Sequence, residues 1–254
     1  MAEDCTRVIT FENIPNFRDL GGYKAAGGKK LATQRLYRSG GLLDMTPADK
    51  ARLKNEIGIK TVIDVTTPNE TKKSREIRLL EEIGVKYFNI PFRPDVPNYY
   101  QVEMAMYVNH TNMGAVYIER MNHPGFGRKL IQALEIIADP VYHPLDFHCS
   151  QGKDRTGILA AVLLSLLGVS NKDIIGDYAL SDTSSEAVKN RIVNDPNTPE
   201  AIRNLPDFSW RAVPDSITDF LKGLKKEYSS AAGYLKTHGA DKTLMKRLEK
   251  ALLA

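Results

Sequence analysis

Cysteine is almost absent: 254 residues hold two, Cys5 and Cys149. Two thiols make no disulfide framework, which argues against a stapled secreted scaffold. The five histidines have no ligand spacing with cysteines or acids, so no metal and no cofactor is expected. Long apolar runs are missing too. The longest, Ile158 to Val169, is interrupted by Ser165 and Gly168 and is too short to cross a bilayer, so it reads as a buried core helix. The opening Met1-Ala2-Glu3-Asp4 is acidic and leads into no signal-peptide core. Charge is nearly balanced, 35 basic against 31 acidic residues. A net +4 is too mild to argue for nucleic acid; it suits an anionic ligand or simply a solvated surface. Repeats and low-complexity tracts are lacking. With 42% hydrophobic residues the chain can build one compact domain over residues 1–254. A free thiol points to a reducing compartment, so a cytoplasmic location is expected.

One of the two cysteines sits in a stretch unlike the rest, His148-Cys149-Ser150-Gln151-Gly152-Lys153-Asp154-Arg155-Thr156-Gly157. A short apolar run precedes it and the long apolar segment follows, a strand–loop–helix pattern. Five residues separate Cys149 from Arg155. A loop of that length can turn its N–H groups inward as an anion nest, with the helix N-terminus adding further donors and a dipole. Ser150, Gln151, Gly152, Lys153, Asp154 and Arg155 would then cradle a tetrahedral oxyanion, with Arg155 as a bidentate clamp and Cys149 beneath as nucleophile. An ordinary thiol is only a few per cent thiolate at neutral pH. Lys153, Arg155, the helix N-terminus and a hydrogen bond from the Thr156 hydroxyl would favour the anion here. His148 is expected to order the loop.

The rest of the chain alternates strands and helices. Arg7–Phe11 reads as an edge strand, and Asn16–Tyr23 as a glycine turn in which Arg18 and Asp19 form an ion pair. Thr46 caps a helix that begins at Pro47 and is closed by Gly58. Lys60–Val65 is a strand with Asp64 near its carboxyl end, where ligands gather in open α/β sheets. Thr67-Pro68-Asn69-Glu70 is a capping box for a helix whose Lys72, Lys73, Arg75, Glu76, Arg78, Glu81 and Glu82 read as a solvated face. A second strand spans Lys86–Ile90, and a proline-stiffened loop carries Asp95. Tyr99 to Met121 reads as one helix whose methionines pack in the core or form a lid over the loop, within a lid insertion at 99–126. Helical segments close the chain. The expected fold is α/β: a mostly parallel twisted sheet flanked by helices, with the lid insertion and C-terminal helices.

The loop HCSQGKDRTG resembles the Cys-x5-Arg signature of protein tyrosine phosphatases and their dual-specificity and lipid-phosphatase relatives. Asn16–Tyr23 (NFRDLGGY), Arg38-Ser39-Gly40 and the segment from Glu227 to Gly239 resemble the branch found in bacteria and fungi. The resemblance implies a tyrosine-phosphatase-like fold, a phosphocysteine intermediate at Cys149, and Arg18, Asp19 and Arg38 near the loop. Where the branch has Asp-Leu-Arg, this chain has Asp64-Val65-Thr66.

The leaving group needs a proton from a carboxylic acid. Asp154, Asp64 and Asp95 are the candidates. Asp154 leads on its place in the Lys-Asp-Arg order: a bound phosphate dianion beside it favours the protonated form, while Lys153 and Arg155 oppose that. It also has a structural alternative, pairing with Arg18 or Lys153. Expected substrates are phosphotyrosine proteins, with phosphoserine, phosphothreonine and phosphoinositides as further candidates. The alternatives are a phosphoinositide or inositol-polyphosphate phosphatase, in which Lys153 meets a second phosphate, a phosphate-binding adaptor without turnover, and a thiol redox or sulfur-transfer protein.

Overall fold

The computed structural model describes residues 7–67, 73–93 and 96–254. The capping box of Thr67–Glu70, together with Cys5, Lys72 and Asp95, falls wholly or partly outside these residues. Five strands form one sheet: β1 (Arg18–Asp19), β2 (Leu36–Ser39), β3 (Thr61–Asp64), β4 (Lys86–Asn89) and β5 (Leu145–His148). Their order is β1-β2-β5-β3-β4. β1 is antiparallel to β2, and the other neighbours are parallel. The register aligns Ser39 and Asp64 with His148, and Asn89 with Asp64. Four strands therefore end together, and the loop that follows β5 leaves from the middle of that edge.

Alternation along the strands separates two cores. Leu36, Ile63, Leu145 and Phe147 face the larger one. It is filled by α4 (Met113–Asn122), α5 (Phe126–Ile137), α6 (Asp154–Leu166), α7 (Asn171–Ala179) and three closing helices, α10 (Pro214–Tyr228), α11 (Ala231–Thr237) and α12 (Leu244–Leu252). Tyr37 and Val62 face the smaller core, with Leu53 and Leu80 from α1 (Pro47–Arg52, continued as a π turn to Ile57) and α2 (Lys73–Glu81). The fold is thus the expected α/β architecture with helices on both faces. α3 (Tyr99–Asn109), α8 (Ser185–Asn194) and the single turn α9 (Glu200–Arg203) complete the described helices.

Local signals act as read. Thr46 and Asp49 form a capping box, Pro47 opens α1, and Gly58 closes the segment at φ 68°. Ser170 caps α7 through the Asp173 N–H. α6 is buried nearly all round, which accounts for its uniform apolar sequence.

Two expectations are corrected. The segment Arg7–Phe11 makes only an isolated bridge, Val8 to Arg18, because β1 offers it just two residues to pair with. The helix expected over Tyr99–Met121 is broken at His110–Asn112: Asn112 accepts the Ala115 N–H and starts α4 as a new helix. The polar run Asn109-His110-Thr111-Asn112 is the local signal of that break. Met106, Met113 and Met121 are buried in the larger core, and α4 lies along α10.

Candidate active site

Cys149 is buried at the carboxyl end of β5, and Arg155 lies in the first turn of α6. Between them the chain turns sharply. Gly152 has φ +69°, and a Cβ there would lie 2.4 Å from the Ser39 carbonyl oxygen. Both the conformation and the close approach require glycine.

Two other segments fix this loop from the side of β2. The Asn16 amide donates to the Gln151 carbonyl (3.2 Å), the Gly41 N–H to Ser150 (3.1 Å) and Arg38 Nη2 to Gly152 (2.7 Å). The motifs around Asn16 and Arg38, far apart in sequence, therefore meet at the cysteine loop. Arg38 is held in turn by Asp177 of α7, whose carboxylate also receives Arg18 Nε at 2.9 Å. Arg18 continues to the Asp177 carbonyl (2.9 Å), Ser181 (3.1 Å) and Asn16. All three charged side chains are buried. Burial alone would raise Asp177, but the two guanidinium groups outweigh it and hold the carboxyl below its usual range. Burial and the neighbouring Arg18 lower Arg38 to about 10, with Asp177 and Cys149 pulling the other way.

Arg18 thus pairs with Asp177 and with neither Asp19 nor Asp154. Asp19 instead accepts the Gly21 and Gln34 N–H groups, both at 2.7 Å, and so closes the glycine turn. Burial raises its carboxyl despite those bonds.

On the β3 side the loop rests on a cluster of acids around His148. His148 Nε2 lies 3.0 Å from Glu76 Oε1, both fully buried. Burial would lower the imidazole, yet Glu76, then Asp64 and Asp146, push it up to about 10. Glu76 is therefore a correction to the solvated face: Arg75, Arg78, Glu81 and Glu82 are exposed, whereas Glu76 points inward. Asp64 is also buried. It accepts the Thr66 N–H (2.7 Å) and the Tyr87 hydroxyl (2.5 Å). Asp146 accepts the Ser39 hydroxyl (2.9 Å), and burial raises it to about 6 against the pull of His148. Asp64, Glu76 and His148 each place one ligand atom within 4.8 Å of the others. This is the one metal-sized group among the described residues, but a protonated imidazole is an ion-pair partner and must lose its proton before it can ligate.

Asp154 begins α6 at the rim of the loop and is partly exposed. Its Oδ1 accepts the Tyr117 hydroxyl at 2.6 Å, and Lys153 Nζ lies 3.4 Å away. The Lys153 ammonium is otherwise turned under the loop, donating to the Ser209 carbonyl and, at 3.4 Å, to that of Arg211. Thr156 Oγ1 is buried without a hydrogen-bond partner among the described residues.

Tyr117, Glu76 and Asp177 escaped the sequence reading. Each sits in an ordinary helical pattern, and only a polar residue on an otherwise apolar face marks Glu76 and Asp177.

The sequence profile described as the tyrosine phosphatase family matches residues 9–254. A Cupriavidus necator protein named as a tyrosine-protein phosphatase is 33% identical over 190 residues, which are 68% of this chain and 63% of that protein. This chain thus spans less than two thirds of that relative's length. The triple specificity protein phosphatase PtpB of Mycobacterium tuberculosis is 25% identical over 94% of this chain and 96% of its own length. Among solved structures, the core catalytic domain of the yeast PP-IP phosphatase SIW14 matches at 20% identity with a TM-score of 0.44, covering 80% of this chain and 90% of that chain.

Proposed function

Since the chain belongs to the tyrosine phosphatase family, we propose that it hydrolyses phosphate monoesters of tyrosine in proteins, and of serine and threonine, through a phosphocysteine intermediate. The observation that carries this reading is the position of Cys149 at the base of a loop whose far side is Arg155 at a helix N-terminus. In the first step the Cys149 thiolate attacks phosphorus in line, an S–P bond forms and the ester O–P bond breaks. Arg155 and the loop N–H groups stabilise the equatorial oxygens. Asp154 gives its proton to the departing oxygen. In the second step Asp154 takes a proton from water, which attacks the phosphocysteine and releases phosphate and thiolate.

Supporting positive charge comes from Arg38, His148 and the α6 terminus. Thr156 Oγ1 makes no hydrogen bond among the described residues, so the expected bond to the Cys149 sulfur is not formed in this structure. Asp154 is favoured over Asp64 as the acid because it is partly exposed, while Asp64 is buried with hydrogen bonds on both oxygens. Lys153, bound to backbone carbonyls beneath the loop, serves the loop rather than a second phosphate, which weighs toward phosphoproteins over inositol polyphosphates. A reducing, cytoplasmic setting suits the thiol, and no described helix is long and apolar enough to cross a membrane.

Phosphate release from phosphotyrosine, phosphoserine and phosphothreonine peptides, and from inositol phosphates, tests the proposal. Turnover of the peptides is expected, falling to background with Cys149→Ser. Phosphopeptide binding without turnover by the unaltered protein would overturn it in favour of an adaptor.

A further inference from the structure

Tyr117 reaches the site from outside every motif. It stands on α4, fully buried, and donates to Asp154 Oδ1. Its oxygen also lies 2.7 Å from the hydroxyl of Tyr178 on α7, and Tyr178 is hydrogen-bonded to Ser216 on α10. A phenol has one hydrogen. The Tyr117 hydrogen is spent on Asp154, so Tyr178 must donate to Tyr117 and Ser216 to Tyr178. The result is a buried chain with one direction, Ser216 to Tyr178 to Tyr117 to Asp154. Burial first, and the Asp154 carboxylate next, push both phenols well above their usual range, so both remain donors wherever the enzyme works. Bonds in such a chain polarise and strengthen one another. The rings are fixed as well: Tyr117 meets Tyr178 and Phe220 edge-on, with centroids 6.2 and 6.0 Å apart.

We propose that Tyr117 is the positioning residue of the proton donor: its hydroxyl fixes Oδ1 of Asp154, so that Oδ2 carries the proton toward the leaving oxygen. This rests on the reading of Asp154 as the acid. A carboxyl at a loop rim has free χ rotation, and a proton on the wrong oxygen would point away from the leaving group. One bond to a rigid, buried phenol removes that freedom. Tyr117 touches neither substrate nor sulfur in this scheme. Its contribution reaches the reaction only through Asp154, and in kcat/KM it shows in the step in which the O–P bond breaks.

The test is Tyr117→Phe, which keeps the packed ring, assayed on aryl phosphates of graded leaving-group acidity. With phenyl phosphate, kcat/KM is expected to fall by about 10–100-fold, part of the 10²–10⁴ that a general acid supplies. With p-nitrophenyl phosphate, whose leaving group needs no proton, the change stays within about threefold, since acid catalysis adds little there. Equal losses across the series would overturn the proposal. Asp154→Asn separates it from its premise. If Asp154→Asn itself loses equally on all leaving groups, the acid assignment fails; if only Tyr117→Phe does, the positioning role fails alone. Should Tyr117→Phe not fold, Tyr178→Phe shortens the chain by one link, and a weaker leaving-group dependence of the same sign is expected, its absence counting against the proposal.

Discussion

Two buried charge clusters flank the cysteine loop, and they are built on opposite principles. On the β2 side, Arg18 and Arg38 share one carboxylate, Asp177, and almost every contact is a directed hydrogen bond to a side chain or a loop carbonyl. On the β3 side, His148 faces Glu76, Asp64 and Asp146, with its Nε2 3.0 Å from Glu76 Oε1. The first cluster is fixed by geometry, with the Asp177 carboxyl held below its usual range. The second is held by charge balance, with an imidazole near 10 and a carboxyl near 6. The difference teaches that one side of the loop is a rigid strut while the other responds to pH.

The comparison breaks most visibly at Asp177. Asp177→Ala leaves two buried guanidinium groups without a counter-ion and should cost about 3–5 kcal/mol, the loss typical when one partner of a buried pair is removed. Urea unfolding would show it, at neutral pH and at pH 9 alike. A loss under about 1 kcal/mol would mean the strut is not one.

Glu76→Gln comes next, at about 3 kcal/mol near neutral pH, since it strands a buried imidazolium. Here the pH dependence is the diagnostic. The His148 pKa is raised on folding, so the stabilisation is complete below the unfolded value near 6.5 and disappears as pH rises through about 10. The gap between variant and wild type should therefore narrow on the alkaline side. A gap that stays constant would contradict the charge-balance account.

Asp146→Asn is the smallest and has the opposite sign. Burial raises this carboxyl from 3.8 to about 6, so its ionisation destabilises the fold as pH rises through that window. The amide keeps an acceptor for Ser39 and removes the charge. The variant should gain about 1 kcal/mol at pH 8, or ~2–4 °C in melting temperature for a domain of this size, and nothing at pH 4. Destabilisation at pH 8 would show that His148 needs Asp146 as much as Glu76.

Much of the molecule was legible in the chain. The strand–loop–helix at Cys149, the capping box at Thr46, the cap at Ser170 and the closing Gly58 act through residues a few positions apart, and all stand as read. The loop's own residues could be proposed for the same reason: Cys149 to Arg155 is one contiguous segment. What was misread required partners. Arg18 was paired with its neighbour Asp19, but adjacent strand residues point to opposite faces, and Arg18 meets Asp177, 159 positions on. Glu76 looked like one charge among many on a surface helix until α2 was placed against β3 and β5.

By itself the sequence determined the class of fold and the strand–loop–helix that joins Cys149 to Arg155, because hydrophobic period, caps and loop length are local properties of the backbone. Only the tertiary structure decided which charges are buried together and which tyrosine holds Asp154, because those choices follow from strand order and from helices α4, α7 and α10 converging on the loop.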